Sequence, residues 1–115
     1  MNTFMNFLAV FLGSGVGGCL RYALSVLFGG NLAATLAANA IGSFLIGVWT
    51  GAALPHTTRL LLTVGFCGGF TTFSTFAKES VLLLSRGQYG LFAAYLALSL
   101  VLSLACAAGG LCLSR

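Results

Sequence analysis

Charge is what this chain has least of. A single acidic side chain, Glu79, stands among 115 residues, against five Lys or Arg and one His, for a formal net charge of +4. One carboxylate excludes a paired-carboxylate hydrolase. It also leaves nothing inside the hydrophobic segments to hold a translocated cation by charge or to relay protons. His56, beside Pro55, has no nearby acid to orient it and is expected as a plain loop residue. Cys19, Cys67, Cys106 and Cys112 lack the C-x-x-C spacing of zinc and redox sites, so they are expected as small core residues. Asn2, Asn6, Asn31 and Asn39 are not followed by x-Ser or x-Thr, so there is no glycosylation acceptor. Gly13-Ser14-Gly15-Val16-Gly17-Gly18 matches G-x-G-x-x-G in form, without the preceding strand or the later acid that dinucleotide binding needs.

What is abundant is apolar. With 59% hydrophobic and 5% charged residues and a mean hydropathy of +1.08, there is too little polar surface to cover a water-soluble globule, so the solvent is a bilayer. At roughly twenty residues per span, low-charge runs cover Phe4 to Leu20, Leu32 to Leu54, Leu60 to Ala77 and Leu91 to Leu113. Short connections at Phe28 to Asn31, Pro55 to Arg59 and Ser85 to Gly90 make neighbouring spans antiparallel. The reading is a single all-α domain over residues 1–115 with four transmembrane helices. The first span lacks a basic region before it and is followed by three similar segments, so it is expected to be retained rather than cleaved.

Orientation follows from where Lys and Arg fall beside the spans. Arg59 and Arg115 share one side, and Arg21, Lys78 and Arg86 fall toward the other, with Glu79 next to Lys78. The bias is close to nil, which predicts insertion both ways and pairing as an antiparallel homodimer. Anchoring of helix ends at headgroups accounts for Arg59, Arg86 and Arg115 equally well.

Small residues recur at four-residue spacing: Gly13 with Gly17, Gly47 with Gly51, Gly65 with Gly69, and Ala105 with Gly109. Such pairs let helix backbones approach in lipid, and a tight bundle is expected. The third span carries Gly65-Phe66-Cys67-Gly68-Gly69-Phe70-Thr71-Thr72-Phe73-Ser74-Thr75-Phe76, whose glycines and hydroxyls are expected to break the helix centrally. Polar residues elsewhere are ordered. Thr35, Asn39 and Ser43 recur every fourth residue in the second span, as do Tyr95, Ser99 and Ser103 in the fourth, placing each trio on one helix face. Singly, these are interhelical glue worth about one kcal/mol each. Two stripes beside a broken helix supply donors through the membrane's depth and point to a conduction path. Its neutral donors suit an anion. Phe73 and Phe76, three apart, share one side of the resumed helix and can offer ring edges of positive character, although such pairs also serve plain packing.

Gly68-Gly69-Phe70-Thr71-Thr72-Phe73-Ser74-Thr75-Phe76 is similar to the G-G-x-T-T-F-S-T-F signature of the Fluc (CrcB) fluoride channels. Gly17-Gly18-Cys19-Leu20-Arg21-Tyr22 and Asn39-Ala40-Ile41-Gly42-Ser43-Phe44 resemble the family's first-span and second-span motifs. The resemblance implies a dual-topology antiparallel dimer in the plasma membrane, with two pores passing fluoride out of the cell and no enzymatic chemistry. By position, it makes Asn39 the pore asparagine, Phe73 and Phe76 the rings facing fluoride, and Ser99 and Ser103 hydroxyls along the path. Thr35 and Tyr95 match the neighbouring polar track, and Arg21 an anion-attracting vestibule. The backbone carbonyls of Gly68 and Thr71 correspond to a central structural sodium, for which such hard oxygens are suited. The partners implied are fluoride, the bilayer and a second copy, with no nucleic acid. Two rival readings stand beside this one: a small four-span multidrug exporter, which depends on an acid in the first span that Phe4 to Leu20 lacks, and a non-transporting scaffold subunit.

Overall fold

Asn2 and Asn31 open the first two helices. The Asn2 side chain accepts from the Phe4 amide at 2.8 Å and that of Asn31 from the Ala34 amide at 3.3 Å, satisfying helix-start donors that lack an intrahelical partner. A computed structural model describes residues 2–115. Helix α1 runs Thr3–Leu27 and α2 Leu32–Gly51. Between them Gly29 and Gly30 both take left-handed φ, 73° and 69°, which ends α1 and reverses the chain in four residues.

The third span begins at once after Pro55: α3 (His56–Arg59) leads into a wider, π-helical stretch Leu60–Cys67 and then α4 (Gly68–Phe70). Thr71 and Thr72 are extended, with ψ of 155° and 117°, before α5 resumes at Phe73–Ser85. Gly87, at φ 73°, turns the chain into α6, Tyr89–Ser114. The described residues form no strand, and four helical segments are long and apolar enough to cross a membrane: Thr3–Leu27, Leu32–Gly51, His56–Ser85 and Tyr89–Ser114. They outrun three of the four low-charge runs because a charged residue does not end a helix. Arg21 and Lys78 lie inside α1 and α5. Only the second is shorter, since Pro55 drives the preceding backbone out of helical geometry. His56 is not a loop residue but the first of α3.

Two backbone contacts hold the bundle. Gly13 and Gly17 of α1 face Leu61, Gly65 and Phe66 of the third span, and Gly69 faces Ser14, so closely that an added Cβ would strike backbone. Gly47 of α2 meets Ala107 of α6 in the same way. The fourth small-residue pair is not the expected Ala105 and Gly109. Gly109 has open space around it, and Gly110 presses on Phe44 instead. The small residues of α6 that meet α2 are Ala107 and Gly110, three apart, which a search at four-residue spacing does not select. Arg59 ties the remaining joint. Its guanidinium donates to the carbonyls of Trp49 (3.0 Å), Thr50 (3.4 Å) and Ala52 (2.7 Å), where α2 leaves acceptors unpaired.

Of the cysteines expected in the core, Cys67 is buried and Cys106 half-buried, while Cys19 and Cys112 are exposed on the outer face. Lipid-facing and core-facing positions are equally apolar in a membrane helix, so apolar surroundings in sequence do not imply burial.

Candidate functional site

The extended pair Thr71-Thr72 leaves backbone groups without helical partners, and named side chains take over several of them. Asn39 takes both sides of Thr72: its Oδ1 accepts from the Thr72 amide at 2.8 Å and its Nδ2 donates to the Thr72 carbonyl at 3.2 Å. Thr72 Oγ1 in turn accepts from the Thr75 amide at 3.1 Å and starts α5. Arg21 Nε donates to the Gly69 carbonyl at 3.1 Å. Thr71 Oγ1 and the Thr71 amide both donate to the Cys67 carbonyl, at 2.7 and 2.9 Å.

The carbonyls of Gly68, Phe70 and Thr71 receive no hydrogen bond among the described residues. The amides four residues on from Gly68 and Thr71, those of Thr72 and Thr75, are bonded to Asn39 and to Thr72 Oγ1 instead.

Around the interruption lies an open groove of about 670 Å³, walled by α2, the π-helical stretch, α5 and α6. It brings together Asn39, Ser43, Gly68, Thr71, Phe73, Phe76, Ser99 and Ser103, with Ile46, Val64, Leu100 and Leu104 as apolar walls and no charged side chain in its lining. Phe73 is 79% exposed, and its ring centroid lies 5.7 Å from that of the half-buried Phe76. Ser99 is buried, and its hydroxyl has no hydrogen-bond partner among the described residues. The groove offers neutral polar side chains and two aromatic rings, and nothing that would bind an ion by full charge.

Thr35, Tyr95 and Arg21 do not reach this groove. Tyr95 is buried behind Phe76, ring centroids 5.3 Å apart, and its hydroxyl donates to Glu79 Oε1 at 2.7 Å. Glu79, Thr35 and Arg21 line a second, smaller pocket of about 190 Å³. The Phe76–Tyr95–Glu79 chain thus links the groove to that pocket.

Sequence reading missed two features here. It set Glu79 beside its neighbour Lys78, although adjacent helix residues point 100° apart and the partner is Tyr95, one helix away. Thr72 is the other, a hydroxyl residue that caps α5 without the Glu or Gln three positions on that would mark a helix start in sequence.

The family described as CrcB-like protein, Camphor Resistance (CrcB), matches residues 8–111. The chain belongs to the CrcB family. Its curated relatives include the fluoride-specific ion channel FluC of Methylobacterium sp. (strain 4-46), 49% identical over 92 residues, 72% of this chain and 74% of the relative. Fluoride-specific ion channel FluC 2 of Bacillus subtilis (strain 168) is 48% identical over 99 residues, covering 81% and 75%. The FluC of Bacteroides fragilis is 43% identical over 114 residues, covering 88% and 90%. The CrcB match contains every residue lining the groove and the second pocket, from Arg21 to Leu104. In this CrcB chain the interrupted third span and both polar stripes therefore lie inside the family region.

Proposed function

We propose that this CrcB-family chain is a fluoride-selective passive ion channel of the cell membrane, lowering cytoplasmic fluoride by letting it run down its gradient. The observation that carries the reading is the uncharged groove, where Asn39, Phe73, Phe76, Ser99 and Ser103 meet beside the interruption at Thr71-Thr72. Fluoride holds its water tightly, so a pore must replace that water with donors and still release the ion. Serial single hydroxyls and ring edges meet both needs, because none traps the ion as a fixed cation would. The relatives' names, fluoride-specific ion channel, support the same reading.

The finer reading is a dual-topology antiparallel homodimer with two pores, the third spans broken at Thr71-Thr72 and meeting across the dimer axis. Its support is that the groove is open along one side, where Phe73, Val64, Leu100 and Leu104 are 79%, 54%, 56% and 69% exposed. A second copy would close that wall. The Gly68 and Thr71 carbonyls of both copies would then hold a structural sodium, which supplies a charge that satisfies acceptors lipid leaves bare. Within the groove Asn39 holds the interruption in shape, Phe73 and Phe76 present ring edges, and Ser99 and Ser103 donate along the path. Thr35 and Tyr95 continue the polar track toward the Arg21 vestibule. The unpartnered Ser99 hydroxyl argues against the scaffold reading, in which the stripes serve to bond helices together.

Fluoride efflux from liposomes carrying the purified protein, followed with an ion-selective electrode, tests the channel, and no efflux ends the proposal. A carboxyl-terminal reporter tests the dual topology: signal from both faces of the membrane is expected, and a one-sided signal removes the antiparallel dimer.

A further inference from the structure

The smaller pocket carries the charge that the groove lacks. Arg21 and Lys78 both line it, against one carboxylate, Glu79, which already accepts the Tyr95 hydroxyl at 2.7 Å. Arg21 commits Nε to the Gly69 carbonyl at 3.1 Å, and its two Nη groups make no hydrogen bond among the described residues. Lys78 is exposed and forms no ion pair with Glu79 among the described residues, as neighbours 100° apart on a helix do not face one another. The pocket therefore holds an excess positive charge with free donors, beside the hydroxyl of Thr75.

Depth adds a second argument. Arg21 lies six residues before the end of α1 at Leu27, and Lys78 seven before the end of α5 at Ser85. At 1.5 Å per residue, both sit about 10 Å inside the helix ends. At that depth Arg and Lys heads reach toward water, through a polar cavity or out to the interface, and both of these line the one pocket. Two of them on converging elements mark this pocket as hydrated and electropositive.

We infer that Lys78 joins Arg21 in an anion-capture site at the mouth of the pathway, where Lys78 sets how fast small free anions enter. The inference rests on the channel reading above. Lys78 lies outside the groove, so its effect is on arrival and not on passage. A steering charge acts through the Debye length, roughly 30 Å at 0.01 M salt and 3 Å at 1 M.

The test is fluoride efflux from phosphatidylcholine liposomes, at fluoride concentrations where flux rises linearly and entry limits the rate. Ionic strength is set with an impermeant salt at about 0.01 M and about 1 M. Lys78→Gln is expected to slow efflux about threefold at low salt and Lys78→Glu about tenfold, with both differences vanishing at high salt. Lys78→Arg should recover the low-salt rate. Equal rates at low salt, a loss that persists at high salt, or a loss that arginine does not recover would overturn the role of Lys78 and leave the channel reading intact. A loss seen only when phosphatidylglycerol is included would assign the site to lipid phosphate and overturn the free-anion role. Absence of efflux from the unaltered protein would fail the channel reading itself, and this inference with it.

Discussion

Asn39 and Thr72 bond to each other twice, amide to side-chain oxygen at 2.8 Å and side-chain nitrogen to carbonyl at 3.2 Å, so one side chain of α2 stands in for a helical turn missing from the third span. Removing it leaves two part-buried backbone groups without their protein partner. Asn39→Ala is expected to destabilise the fold by about 2 kcal/mol and to abolish flux. Asn39→Asp keeps the acceptor, loses the donor to the carbonyl and adds a charge that repels anions, so flux should fall with a smaller loss of stability. Denaturation in detergent, followed by fluorescence of Trp49 where it packs 6.0 Å from Phe66, reads the first quantity, and electrode efflux the second.

Phe76 separates packing from conduction. Its ring touches Phe73 and Tyr95 at centroid distances of 5.7 and 5.3 Å, and it lines the groove. Phe76→Ile keeps apolar bulk and removes the ring edge, so efflux should fall about tenfold, the equivalent of roughly 1.4 kcal/mol on the barrier. Size-exclusion chromatography should show the same assembly as the unaltered protein. Unchanged efflux would mean that the ring only packs.

The glycines divide by what surrounds them. An added Cβ at Gly69 meets Ser14 backbone, whereas one at Gly109 meets nothing within 4 Å. Gly69→Ala should cost about 1–3 kcal/mol, since two backbones must part. Gly109→Ala should be neutral, or stabilising by up to about 1 kcal/mol from helix propensity. The same Trp49 denaturation assay orders the two, and a reversed order would contradict the helix packing described above.

Sodium is the ion that the bare carbonyls of Gly68 and Thr71 are proposed to hold. Replacing sodium throughout purification and assay with N-methylglucamine, too bulky for such a site, should weaken dimerisation or slow efflux. Returning sodium should restore both. Indifference to sodium would leave those two carbonyls without the proposed role.

Four apolar runs and a near-absence of charge determined, from sequence alone, an all-helical membrane protein. The polar stripes were legible for the same reason: Asn39 and Ser43 on α2, and Ser99 and Ser103 on α6, recur at the helical period, and all four line the groove. Periodicity places residues on a face and says nothing of which helix that face meets. The pairing of Tyr95 with Glu79, the choice of Gly110 over Gly109, and the exposure of Cys19 and Cys112 were therefore decided only by tertiary packing. So was the position of the interruption. The stretch expected to break, Gly65 to Phe76, holds both glycines and hydroxyls, and the winding runs on through Gly65, Gly68 and Gly69, where close contact of Gly65 and Gly69 with α1 supports it. It gives way at Thr71 and Thr72, where Asn39 bonds both the amide and the carbonyl of Thr72. Lipid offers the backbone no replacement hydrogen bonds, so an interruption is favoured where another element takes some of them over, and for Thr72 that partner lies 33 residues away in the chain.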